Sequence, residues 1–247
     1  SKEDRLREIL TELKEVIDTI LRKLEEDARR LKKAHEESNE KLKRIVEDLE
    51  RVLRELLRKL KERVDERLEE EAKRILTEVR KELKKIEEEA RRINKEYEDD
   101  VRDIERKVER IKEKLERLVE RIERSDRDEK ELIEEVIKVI EDVLRLIEEL
   151  IKEWIRVNEK ALELDRRLVE EVKRVIERLL RAIERLISKG NKELLDKAKE
   201  IVDRVTEEVE RILEENERLW RESIKDVKRI LDEAREIVRR LLEEVRK

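Results

Sequence analysis

The chain has 247 residues, 57% charged, 36% hydrophobic and 1% aromatic, with one glycine and no proline, phenylalanine, methionine or cysteine. Sheet proteins need turn glycines and strand-forming runs, while disulfide scaffolds and cysteine metal sites need cysteine, so those classes are excluded. The 68 Lys+Arg and 73 Asp+Glu give a net charge of −5 and are interleaved along the whole chain, which reads as solvated helix surface rather than a basic nucleic-acid stripe.

No apolar run approaches the ~20 residues of a membrane span, and no signal peptide opens the chain. A soluble chain without a targeting signal is therefore expected, with neither nucleic acid nor membrane as a partner. Its opening at Ser1 without methionine reads as a trimmed N-terminus. Disorder is rejected because the apolar residues are periodic.

At 100° per residue, the first helix runs over about 2–62. Its apolar band holds Leu6, Ile9, Leu10, Leu13, Ile17, Ile20, Leu24, Ala28 and Leu31, and continues through Leu42, Ile45, Val46, Leu49 and Val52. The second helix covers about 66–124, with a band from Ala72 through Val79, Leu83, Ile86, Ile93, Val101, Ile104, Val108 and Leu115. The two bands are offset by roughly 110°, the rotation falling at Leu60, Val64, Leu68 and Ala72. Basic Arg58, Lys59 and Lys61 before acidic Glu66, Glu69 and Glu70 suit one helix ending and another starting near Val64-Asp65. The alternative is a continuous helix over 2–124, with two chains exchanging halves in a swapped homodimer.

The third helix covers about 128–188. Ser125-Asp126-Arg127-Asp128 supplies a loop and an Asp cap, and Glu129 and Glu131 an acidic first turn. Its apolar band, from Leu132 to Ile187, is the widest. Either this helix is embedded more deeply, or the band offers a face for self-association. The fourth helix covers about 191–247, after the only glycine, Gly190, at a helix C-terminus and Asn191 as cap.

The pattern repeats about every 18 residues, as in Ala198, Asn216, Ala234 and Ile201, Leu219, Ile237. Eighteen residues make about five full turns, so nearly straight helices of about 90 Å are expected. The fold expected is all-α: one domain over 1–247, a long antiparallel up-down-up-down four-helix bundle.

Folding these helices as alternating hairpins brings the unusual polar and aromatic residues to one height. His35, Asn94, Asn158 and Trp220 fall together, with Tyr97, Trp154 and Ser223 a turn to one side and Ser38, Asn39 and Asn216 a turn to the other. Asp27, Asp100 and Asp165 lie near them at stripe edges. Such a layer either fixes helix order and register or lines a pocket for a small polar ligand. Thr77 and Thr206 form a second, weaker candidate contact, while Thr11 and Thr19 read as surface.

Catalytic readings fail on inventory. The one His has no Glu-x-x-His partner motif of a di-metal bundle. Ser38 lies on the same face as His35, but a helix interior offers no free N–H for an oxyanion. A glycine-rich phosphate loop cannot be built from one glycine. No catalytic residue, metal, cofactor or small-molecule substrate is expected.

Runs such as LRKLKERVDERLEEEAKRI and LVEEVKRVIERLLRAIERLI, with the missing Met, Phe and Pro and the central Asn/Trp/Tyr/His layer, resemble de novo designed parametric helical bundles carrying buried hydrogen-bond networks. That resemblance covers the whole length. It implies a scaffold or assembly building block, monomeric or self-associating. The join near Val64-Asp65 departs from it, because designed loops usually carry Gly or Pro.

Overall fold

A computed structural model describes residues 2–61, 66–124, 128–187 and 192–247. Four helices follow in chain order: α1 (Lys2–Lys61), α2 (Glu66–Glu123), α3 (Glu129–Ile187) and α4 (Lys192–Arg246). The described residues contain no strand, and the protein is an all-α bundle. The helix bounds match the expected ones to within a residue or so. The expected turns at Val64-Asp65, Ser125–Arg127 and Ser188–Asn191, the roles of Gly190 and Asn191, and the stripe rotation between Leu60 and Leu68 lie outside the described residues.

Local chemistry explains why these segments are helical. None contains Pro or Gly, and the Leu, Glu, Lys and Arg that dominate them lose little rotamer freedom in a helix. The threonines stay harmless by donating to their own helix. Thr11 and Thr19 donate to the carbonyls of Arg7 and Glu15, at 2.9 and 2.8 Å. At the start of α3 the Asp128 carbonyl accepts from the Leu132 N–H at 3.0 Å, with Glu129 and Glu131 in the first turn. That is the geometry and charge a helix N-terminus favours.

The chain packs as two compact units. The first takes Ser1–Lys32, Glu98–Glu159 and Leu219–Lys247; the second takes Lys33–Tyr97 and Lys160–Arg218. Each therefore draws a stretch from all four helices.

In the second unit the helix order follows from pairs that step in opposite directions. As α3 climbs through Arg166, Lys173 and Glu184, its partners on α4 descend through Glu217, Glu210 and Lys199, at 2.7, 2.9 and 3.9 Å. Between α2 and α3, Glu71 meets Arg185 and Glu82 meets Arg178. Between α1 and α4, Ser38 meets Asn216 and Lys41 meets Glu215. Between α1 and α2, His35 meets Tyr97 and Asn39 reaches Ala90. Consecutive helices are thus antiparallel neighbours, α4 closes against α1, and α1 and α3 face each other diagonally.

The first unit has the same neighbours by its own contacts. Glu25 pairs with Lys112, Lys107 with Glu153, Glu148 with Arg235, and Asp27 with Ser223. Most of these ion pairs are exposed, worth about 0–1 kcal/mol each, and serve here as register marks rather than as a source of stability.

Stability comes from the apolar interior. In the first unit Leu13, Leu21 and Leu24 of α1 are buried, as are Ile104, Val108 and Leu115 of α2, Ile140 and Ile147 of α3, and Val238 and Leu241 of α4. In the second unit one continuous cluster includes Leu49, Leu83, Val172, Ile176, Leu179 and Val209. The wide band of α3 is taken up by this packing. Adjacent residues such as Val139-Ile140, Leu150-Ile151 and Val175-Ile176 are buried together, and no large hydrophobic side chain is exposed among the described residues.

Candidate functional site

The ten polar and aromatic residues singled out by the sequence fall into two groups, one per unit. Asn158, Trp154, Trp220 and Ser223 lie in the first unit, and His35, Ser38, Asn39, Asn94, Tyr97 and Asn216 in the second. His35, Tyr97, Trp154, Asn158, Trp220 and Ser223 are buried, whereas Ser38, Asn39, Asn94 and Asn216 are half-buried.

In the first unit the centre is aromatic. Trp154 is fully buried, and its ring meets Trp220 edge-on, with centroids 6.2 Å apart and planes at 73°. Edge-to-face contact suits the ring quadrupoles. The Trp154 Nε1–H is buried with no hydrogen-bond partner among the described residues. Asn158 lies one turn further along α3 and donates from Nδ2 to the Trp154 carbonyl at 2.8 Å, a bond within its own helix. A buried cross-helix bond of this unit is made by Ser223, which donates from Oγ to Asp27 Oδ2 at 3.2 Å. Asp27 is 1% exposed, and its other oxygen lies 3.5 Å from Lys23 Nζ and 3.6 Å from the Arg30 guanidinium. Lys23 and Arg30 keep their charged heads toward water while reaching down one turn of α1.

In the second unit three polar contacts tie α1 to the other three helices. Ser38 Oγ lies 3.0 Å from Asn216 Oδ1 on α4 and 2.9 Å from the Ala34 carbonyl, so its one proton is shared between them. Asn39 Nδ2 donates across to the Ala90 carbonyl on α2 at 3.3 Å. The methyl side chain of Ala90 lets the amide come that close. His35 Nδ1 lies 3.3 Å from Asp165 Oδ2 on α3, and the imidazole rests against the Tyr97 ring at 4.5 Å and 36°. The oxygens Asn94 Oδ1 and Asp165 Oδ2 are buried without a hydrogen-bond partner among the described residues, the His35 contact being off-line for one.

By distance alone His35 and Asp165 are an ion pair, but burial opposes charge on both. It pushes the imidazole down to about 4 and the carboxyl up to about 7. Burial weighs more than the contact distance, because neither group receives the further donors or acceptors that would repay its desolvation.

One expectation is corrected. Thr77 and Thr206 do not form a second cross-helix contact: each donates to its own helix, to the Lys73 and Val202 carbonyls at 2.9 and 2.8 Å. Their helices, α2 and α4, are diagonal in the second unit, each packing between α1 and α3.

The sequence placed Asp27 and Asp165 only at stripe edges, and the structure buries both. Their neighbours carried the signal. Residues three and four positions from Asp165 are Ala161, Leu162, Leu168 and Val169, and Leu24, Ala28 and Leu31 flank Asp27. An acid surrounded by apolar residues at helical spacing belongs to the buried face.

Among the described residues no group of three or more His, Asp or Glu side chains is placed to hold a metal ion, and no helix is long and apolar enough to cross a membrane. Comparison with protein-family models, curated proteins and solved structures gives no match.

Proposed function

We propose that the chain is a designed structural scaffold, or a building block for larger assemblies, in which the buried polar residues specify which helices meet and at what height. One observation carries this reading: within the second unit polar side chains of α1 that are buried or half-buried reach each of the other helices, through Asn39–Ala90, His35–Asp165 and Ser38–Asn216. Leu, Ile and Val stripes of similar width pair almost equally well after slipping by one turn. A polar group that loses its partner on slipping costs about 1–3 kcal/mol, which separates the registers. The Leu/Ile/Val core under a Glu/Lys/Arg surface supports a designed origin. This role requires no substrate, cofactor or nucleic acid.

The test is the double substitution Ser38→Ala with Asn216→Leu. The variant is expected to remain highly helical but to lose its single set of amide resonances or its single oligomeric state. If mass, cooperativity and spectrum all stay as in the parent, the register role is abandoned. Light scattering on the parent is expected to give the chain mass of 30.4 kDa. A multiple of that value would favour two chains exchanging halves through a continuous helix over 2–124.

A further inference from the structure

Among the described residues each unit buries one aspartate, and the two are equipped differently. Asp27 is bracketed by a hydroxyl and two cations, the donors that a carboxylate requires. Asp165, 9% exposed, has one neighbour of that kind, the imidazole of His35, itself 8% exposed. Among the described residues no Lys or Arg forms an ion pair with Asp165. From α2 comes Tyr97, which covers the imidazole face. From α1, Ser38 is engaged with Ala34 and Asn216. On α3, Arg166 and Arg167 turn outward to Glu217 and Glu163, and Glu217 is the acid that α4 supplies there.

We propose that His35 and Asp165 hold a single proton between them on the carboxyl, as a neutral acid–imidazole contact that acts as a pH-sensitive latch of the second unit. An ionised Asp165 would be an anion with no aligned donor, and a charged His35 a cation with a ring on one side and apolar core around it. Putting the proton on Asp165 leaves no buried charge. The burial-driven shifts of the two groups, in opposite directions, agree with this placement. Loss of that proton above about pH 7 leaves a buried anion, and the contact opens.

The proton is located by nitrogen and carbon NMR of the folded parent chain. At pH 5.5 the His35 ring is expected to be neutral and the Asp165 carboxyl protonated, with the carboxyl carbon titrating near pH 7 and amide protection around residues 161–169 falling as it does. An imidazolium facing a carboxylate at pH 5.5 would overturn the proposal. Asp165→Asn supplies a second reading. The imidazole stays neutral in this variant if the proton resided on Asp165, and changes from charged to neutral if the parent held an ion pair. Should that variant fail to fold, the parent spectra decide alone.

Discussion

Trp154 and Ser38 show how much a single side chain contributes here. Trp154 fills space as the largest fully buried side chain, yet its N–H has no hydrogen-bond partner among the described residues. Trp154→Ala is expected to cost about 3–5 kcal/mol of unfolding free energy. Trp154→Phe removes some volume but also removes the unpaired donor, worth about 1–3 kcal/mol, and is expected to stay within about 1 kcal/mol of the parent. Urea titrations of the two variants followed by circular dichroism check both. Ser38→Ala alone is expected to cost about 1 kcal/mol, since it deletes one hydroxyl shared by two acceptors and leaves Asn216 half-exposed to water.

For whole helices, the α2–α3 seam of the second unit holds an irregularity. The seam pairs Glu82 with Arg178 and Glu71 with Arg185, but Glu171 of α3 faces Glu89 of α2. Partial burial first, then a hydrogen bond and repulsion from Glu89, raise the Glu171 pKa, with Arg174 pulling the other way. A raised carboxyl pKa means stability that is present in acid and is lost as the pH rises through the folded value. Glu171→Lys is therefore expected to stabilise at pH 7, by up to about 1 kcal/mol at low salt and less at high salt because both carboxylates are only half-buried. Thermal melts of parent and variant at two salt concentrations and at pH 4 and 7 read this directly.

Such seams also mark how far the sequence carried. Helix positions and buried faces were legible because a 3.6-residue period in Leu, Ile and Val is unambiguous over sixteen turns, and only the residues at each end could shift. Partners were not legible. Spacing gives the face of Asn158 but not its rotamer, and its amide Nδ2 donates to the Trp154 carbonyl of its own helix. Thr77 and Thr206 failed for a different reason: which helices are diagonal depends on how the ring closes, and four similar stripes do not encode that. Asp27 and Asp165 were placed at edges because acids are so common on this surface that a buried one has no distinctive composition.

At the scale of the whole chain, the two units share a core chemistry but not their chromophores. Both tryptophans, Trp154 and Trp220, lie in the first unit, and the only tyrosine, Tyr97, lies in the second. The protein thus carries a built-in pair of optical reporters that divide it by region. Indole emission follows one half, phenol absorbance follows the other, and the amide signal sums both. Leu83→Ala removes a fully buried side chain of the second unit and is expected to cost about 2–5 kcal/mol there. In that variant the amide and tyrosine melts are expected to run ahead of the tryptophan melt. Coincident curves would mean that the four helices melt as one cooperative body. Unmodified protein and an ordinary spectrometer suffice to follow where a helix of sixty residues first comes apart.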